Sequence, residues 1–374
     1  MTAADIDLTL LPTPAQKVFA PDAPAPLRMM AARGVLPGLK PAEIVQVVGL
    51  FAAGTDEKLR ETAAATLAKL PEAMLASALS ADLPGSTVGQ LARAYENRHE
   101  VLERLLRMPR IDGETLEYLA ITADERSGEL IATNEELMLA HPKVIEKLYM
   151  NKRVRMSTAD RLIELAVRNN VELGIPAYKE AAQAIKNELI AEASEEPTYD
   201  DVVFNQAVQL ADQTSIADDE DTHEVDEEGE ERLREKFVPL YAIIGQLTVT
   251  QKIRKAMLGT AAERLLLVRD SNRLVASAAV KSPLMRDNEA VQISASRAVS
   301  EDVLRAIAQK TEFIRNYQVK VNLVNNPRTP FAFSSRFVQH LRDNDIRALA
   351  KSKNVRGDIS LAAKQHILRK QGKT

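Results

Sequence analysis

One short helical pattern recurs five times along this chain and constrains its fold more than any other feature. Each copy places two large apolar side chains three positions apart, on one face of a helix, and an alanine follows the second. The alanine lets a neighbouring helix approach closely. Because one amphipathic helix cannot bury its own apolar face, we predict stacked helical units, an α-solenoid, with the apolar pairs buried between helices. The five copies span residues 88–92, 116–120, 162–166, 304–308 and 346–350.

A longer internal similarity also indicates a repeat architecture. When residues 151–171 are aligned with residues 326–346, four positions are identical and several apolar positions coincide. Both copies have the pattern of an asparagine turn, a capping residue and an amphipathic helix. Ser157 is predicted to cap the first helix, and Thr329 the second, with Pro330 in its first position. The identical pairs are Asn151 with Asn326, Arg153 with Arg328, Arg161 with Arg336 and Asn169 with Asn344.

Composition favours an all-α protein that folds inside the cell. The chain has 374 residues, which is long enough for two domains with their own cores. It contains no cysteine, which excludes a disulfide framework and thiolate metal sites. Its first residues are acidic, whereas a signal peptide would be basic, and no apolar run is long enough to cross a membrane. We therefore predict a cytoplasmic location without membrane insertion.

Prolines and charge divide the chain into four predicted segments, two short solenoid lobes among them. Residues 1–26 contain five prolines and are predicted to be flexible. Residues 27–186 form the predicted N-terminal helical-repeat lobe. Residues 187–231 contain 17 Asp or Glu and no Lys or Arg, so self-repulsion predicts a disordered acidic linker, in which a local helix around residues 199–210 stays open. Residues 232–374 contain 27 Lys or Arg against 11 Asp or Glu and form the predicted basic C-terminal helical-repeat lobe.

The C-terminal lobe also resembles known helical-repeat families. Residues 323–330, the amphipathic helix after them and residues 345–355 resemble the leucine-rich-repeat-variant and HEAT/armadillo-like α-solenoids. Residues 250–370 are similar to an uncharacterised helical-repeat family of delta-proteobacterial genomes, so the resemblance covers about a third of the chain. It implies a bacterial protein with an all-helical fold and a binding role, and no catalytic residues to carry over. The cysteine-ligated cluster of some leucine-rich-repeat variants does not transfer, because this chain lacks cysteine.

Motifs that carry chemistry are missing from the sequence. The five histidines show no HExxH spacing, and the acidic segment does not have the Gly and Glu spacing of an EF-hand. There is no GxGxxG fingerprint and no GxSxG elbow, and Ser and Thr occur where helix caps are expected. We therefore predict that the chain is not an enzyme and that it holds no metal and no cofactor.

Two functions of different classes stay open. The first is a non-enzymatic cytoplasmic scaffold or adaptor whose repeat surfaces bind partner proteins. The alternative is a nucleic-acid- or ribosome-associated protein that binds through the basic C-terminal lobe, with the acidic linker lying over that lobe as a competing phosphate mimic. The predicted basic binding face consists of Lys252, Arg254, Lys255, Arg328, Arg336, Arg342, Arg347, Lys351, Lys353 and Arg356.

Overall fold

The structure is a computed structural model that describes residues 11–227, 229–352 and 354–370. Over these residues the chain is mainly α-helical, and its β structure is a single two-stranded hairpin. The predicted all-α class is therefore confirmed. The helices form two compact units, which divide after Leu162 and so within the helix Met156–Arg168. None of the described helices is both long enough and apolar enough to span a membrane.

The first unit contains helices that are mostly two to three turns long, as expected for helical repeats. Pro or an Asp or Asn cap begins most of them. They are α1 Thr13–Phe19, α2 Ala25–Ala32, α3 Pro41–Ala52, α4 Glu57–Leu67, α5 Glu72–Leu79, α6 Gly85–Ala94, α7 His99–Leu106, α8 Gly113–Thr122, α9 Glu125–Ala132, α10 Glu135–Ala140, α11 Pro142–Met150 and α12 Met156–Arg168, which enters the second unit.

The second unit contains the remaining helices and the hairpin. Short 3₁₀ turns at Ile185–Asn187 and Glu235–Phe237 join some of its elements. The elements are α13 Tyr178–Ala184, α14 Tyr199–Gln213, β1 His223–Val225, β2 Glu231–Leu233, α15 Val238–Gly245, α16 Val249–Leu258, α17 Ala261–Leu267, α18 Arg273–Lys281, α19 Asp287–Ala295, α20 Glu301–Gln309, α21 Thr311–Arg315, α22 Tyr317–Asn325, α23 Phe331–Val338, α24 Asp343–Lys351 and α25 Gly357–Lys370.

Within each unit, helices stack in two rows. In the first unit α3, α6, α8 and α11 pack each against the next, and α5, α7 and α9 form the second row. In the second unit the rows are α16, α18, α20 and α17, α19, α22. The helices approach closely: a Cβ atom at Gly89 of α6 would lie 2.6 Å from Thr115 Oγ1 of α8. This packing of helices in rows is the stacking that the recurring pattern predicts. Both apolar residues of all five copies are buried.

The internal similarity corresponds to one hydrogen-bonding arrangement that occurs in both units. Asn151 Nδ2 donates to three backbone carbonyls at the end of α8, at 2.9–3.2 Å. Asn326 Nδ2 donates in the same way to two carbonyls at the end of α19, at 3.0 and 2.7 Å. In each copy the arginine two residues later, Arg153 or Arg328, donates its backbone N–H to the asparagine Oδ1 at 3.0 Å. Each asparagine thus joins the end of one helix to the end of the helix about 30 residues before it.

Neither predicted cap within this similarity is in the N-cap position: Ser157 is wrong by two residues and Thr329 by one. α12 begins at Met156, so Ser157 lies inside the helix. α23 begins at Phe331, with Pro330 in the N-cap position and not in the first turn. Thr329 is fully buried, and its Oγ1 has no hydrogen-bond partner among the described residues. The rigid proline after Thr329 favours an extended backbone before it, which moves the start of the helix one residue on.

The acidic segment 187–231, which we predicted to be a disordered linker, has secondary structure and belongs to the second unit. It contains α14, β1 and the first residue of β2. A capping box between Thr198 and Asp201 begins α14, and Phe204 and Ala207 bury its apolar face. The local helix that the sequence left open around residues 199–210 is therefore present as α14.

The N-terminal segment predicted to be flexible also contains helical structure. α1 and the start of α2 fall within residues 11–26, and Leu11, Ala15 and Val18 are buried. The other residues of that prediction, 1–10, lie outside the described residues.

Candidate binding surfaces

The first three residues of the predicted basic face are packed inside the second unit. They lie on α16, which contacts α13, α17 and α18. Arg254 and Lys255 are buried, Lys255 Nζ pairs with the buried carboxylate of Glu263, and Lys252 Nζ lies 3.2 Å from Asp270 Oδ2. Carboxylates on α17 and just after it therefore neutralise Lys255 and Lys252, and Arg254 is buried near the Phe204 ring, so the three residues do not extend an exposed basic face. The prediction of this part of the face is corrected accordingly.

Six of the other predicted residues are exposed, whereas Lys353 lies outside the described residues. Arg347 and Lys351 are one turn apart on α24 and share a face. Arg336 lies on the preceding helix, α23. The exposed residues are Arg328, Arg336, Arg342, Arg347, Lys351 and Arg356.

Several of these arginines are already engaged by the protein. The Arg342 guanidinium lies 4.5 Å from the centroid of the Tyr317 ring. Arg328 Nη1 donates to two backbone carbonyls after α19, at 3.3 and 3.2 Å. Arg356 Nη2 donates to Asp358 at 2.7 Å, and this hydrogen bond lowers the pKa of the Asp358 carboxyl. Arg328 and Arg356 therefore contribute to local structure as well as to surface charge.

The acidic residues 218–231 form what we call the acidic hairpin, which packs against basic side chains of the second unit. Asp221 Oδ2 accepts from Arg269 Nη2 at 2.7 Å, and Asp218 lies 3.4 Å from Arg286. Asn288 and Gln292 of α19 donate to backbone carbonyls of the hairpin. Part of the positive charge of this unit is thus paired with the protein's own carboxylates.

Glu231 and His223 are two of the titratable groups of the acidic hairpin whose pKa values are shifted. Burial tends to raise the pKa of Glu231, but hydrogen bonds from Ser296 and from the backbone of Arg297, with the charge of Arg269, lower it overall. Burial lowers the pKa of His223, and the nearby Arg269 charge lowers it further. Glu231 is therefore held as the carboxylate and His223 as the neutral imidazole, and both forms favour the docked hairpin.

A second surface of this unit is apolar and exposed. α15 has the sequence VPLYAIIG, with no charged residue, and only Leu240 and Ile244 are buried. A helix that is apolar on all sides is normally buried on all sides. Here one side faces solvent, and α14, which packs against α15, also exposes apolar side chains. We define the α14–α15 surface by Tyr199, Val202, Val238 and Tyr241, which are 79%, 45%, 48% and 56% exposed.

One hydrogen bond joins the first turn of α14 to the first turn of α16, the helix after α15. Gln251 Nε2, shortly after α15, donates to the carbonyl of Asp200 in the first turn of α14, at 3.5 Å. The Val249 backbone N–H donates to Glu188 Oε1 at 3.1 Å. Glu196 and Asp200 are exposed near the start of α14, and Glu235 and Lys236 are exposed before α15, where Lys236 is paired with Glu220 at 3.0 Å. The α14–α15 surface therefore combines apolar and aromatic side chains with an acidic rim.

Sequence analysis missed the α14–α15 surface. The available signal was the uninterrupted apolar run 237–244, which a sequence alone does not distinguish from a fully buried helix. Which side of such a helix is exposed depends on contacts with other helices.

The second unit also has an open pocket with a volume of about 690 Å³ between the end of α12 and α13. Tyr178 is in its wall, and the Tyr178 hydroxyl donates to the Val171 carbonyl at 2.6 Å. Burial raises the pKa of that hydroxyl. Asn170, also in the wall, has a φ of +55°, in the left-handed region. These contacts stabilise the turn between α12 and α13, which is a structural role.

Comparison with known proteins adds no functional assignment. No protein-family model, no curated protein and no solved structure matches this chain. The resemblance to HEAT/armadillo-like and leucine-rich-repeat-variant solenoids is supported only as a helical-repeat fold. What the chain binds has to be inferred from its surfaces.

Proposed function

We propose that this chain is a non-enzymatic scaffold or adaptor that binds a partner protein through the α14–α15 surface. The observation that supports this most is the exposure of Tyr199 and Val202 on α14 and of Val238 and Tyr241 on α15, two helices that pack against each other and whose other sides are buried. Exposed apolar patches rimmed by polar residues mark protein interaction sites, and tyrosine is enriched among residues that dominate binding energy. A cytoplasmic location stays a prediction from the sequence.

The α14–α15 surface lies on helices that are held in place by buried residues, which suits a binding role. Phe237, Leu240 and Ile244 are buried and hold α15, and the capping box of Thr198 and Asp201 holds the start of α14. A surface on packed helices loses little conformational entropy when a partner binds. Binding energy can therefore come from a few anchored side chains.

Affinity purification from the native cells tests the proposal. Tagged wild type is compared with the double variant Val238→Ser/Tyr241→Ser and with Leu284→Ser, which changes a 43% exposed leucine outside this surface. Loss of an aromatic anchor costs about 2 kcal/mol or more, roughly thirtyfold in affinity. We expect the double variant to lose a specific protein that wild type and Leu284→Ser both retain. Equal recovery by all three proteins would contradict the proposal.

A second candidate function is binding of nucleic acid through the exposed basic residues near the C-terminus. It is favoured by Arg336, Arg347 and Lys351, which are exposed in a segment with a large excess of positive charge. Titration with duplex DNA over a range of salt concentrations tests it. Binding that weakens with salt and is reduced in Arg347→Ala/Lys351→Ala supports this candidate, whereas no binding at about 50 mM salt excludes it.

A further inference from the structure

The last helix, α25, presents a second exposed apolar stripe. α25 buries Ile359 and Ala363 against the unit. Leu361 and Leu368 are 55% and 46% exposed. They are seven residues apart and so on one face of the helix, with the exposed Lys364 between them.

The charge of this stripe is opposite to that of the α14–α15 surface. Lys364 and Arg369 are exposed on α25, as is Lys370, which pairs with Asp343. The exposed charged residues near Tyr199 are Glu196 and Asp200, and those before Val238 are Glu235 and Lys236, of which Lys236 is paired with Glu220. A basic helix with leucines one heptad apart is the kind of ligand that an apolar surface with an acidic rim accepts. Opposite charges also orient such a helix during the encounter.

We propose that this protein self-associates head to tail, with α25 of one copy bound to the α14–α15 surface of the next. The inference rests on the proposed function in one respect, that the α14–α15 surface binds protein, and it specifies the partner as a second copy of this chain. The two surfaces differ from each other, so the contact is heterologous. A dimer held by one such contact keeps one unused surface of each kind, so assemblies grow with concentration unless they close into a ring.

Complementation between two variants tests this contact directly. Val238→Ser/Tyr241→Ser removes the acidic-rimmed acceptor, and Leu361→Ser/Leu368→Ser removes the basic stripe. All four side chains are exposed, so folding should be little affected, as circular dichroism would check. Leu284→Ser is the matched control. Sedimentation velocity of the full chain, at low salt and over a wide concentration range, gives the mass of each sample.

We expect the average mass of wild type and of Leu284→Ser to rise with concentration. Each double variant alone should stay monomeric, with association weakened about tenfold or more. An equimolar mixture of the two double variants should form a one-to-one dimer, because one variant retains the acceptor and the other retains the stripe. Added salt should weaken all of these associations.

Three results would overturn the inference. They are a wild type that is monomeric at every concentration, a double variant that still assembles alone, and a mixture that stays monomeric although wild type assembles. A monomeric wild type that still captures a different protein in a Tyr241-dependent way would leave the proposed function intact. The acceptor would then bind a basic amphipathic helix of another protein.

Discussion

Replacing Asn326 with alanine should destabilise the second unit far more than replacing its neighbour Asn325. Asn326 is buried, and its side chain donates two hydrogen bonds, to the carbonyls of Ser294 and Ser296, and accepts one from the backbone of Arg328. This side chain joins the ends of α19 and α22.

The magnitude follows from those three hydrogen bonds. Each contributes about 1 kcal/mol net. The Arg328 residue is exposed, so its N–H can regain a bond from water, whereas the two carbonyls lose a buried donor. We therefore expect Asn326→Ala to lower the free energy of unfolding by about 2–3 kcal/mol. Asn325 is exposed and bonds only within its own helix, to Val321 O at 2.9 Å, so Asn325→Ala should change stability by less than about 0.5 kcal/mol.

Urea unfolding of the full chain, followed by far-ultraviolet circular dichroism, measures both variants under the same conditions. The two substitutions remove the same side chain from adjacent positions, so they differ in environment only. Similar losses for Asn325→Ala and Asn326→Ala, or a loss below about 0.5 kcal/mol for Asn326→Ala, would refute the role of this asparagine in joining repeats.

Three further predictions concern single side chains. Thr329→Val should leave stability unchanged or raise it by up to about 1 kcal/mol, because the Thr329 hydroxyl is buried without a described partner; a clear loss in urea unfolding would contradict this. Glu289→Gln should lower the free energy of unfolding by about 3–5 kcal/mol because it breaks a buried ion pair with Arg264. Glu301→Gln, in an exposed pair with Arg305, should lower it by less than about 0.5 kcal/mol. Equal losses in urea unfolding would contradict the difference between the buried and the exposed pair. Acidification from pH 7 to 5 should increase hydrogen exchange in the acidic hairpin. The folded state lowers the pKa of His223, so stability is lost as pH falls below the ordinary value near 6.5, and the His223→Gln variant should show a smaller increase.

The helical fold could be predicted because its signals are local. The spacing of Leu116 and Leu119, or of Leu304 and Ile307, specifies one apolar face, and that face is buried. The pairing of Asn151 with Asn326 was visible as a sequence identity. Its role was not, because the carbonyls that each side chain reaches lie about 30 residues earlier.

The candidate surfaces could be predicted only in part, because charge along a sequence does not specify direction in space. Lys255 was assigned to a basic face, yet it turns inward to Glu263 on the next helix. The acidic segment looked disordered by composition, since its partner Arg269 comes 48 residues after Asp221. The exposure of Tyr241 depends on which other helices cover α15, and local periodicity does not contain that information.

Photo-crosslinking at position 241 tests the central claim most directly. A photoreactive phenylalanine analogue replaces Tyr241 in one protein and Leu284 in another, and both are irradiated in the native cells. If the α14–α15 surface binds protein, position 241 should give a discrete covalent adduct, either with another protein or with a second copy of this chain, and position 284 should not. No adduct at position 241, or the same adducts at both positions, would contradict the claim.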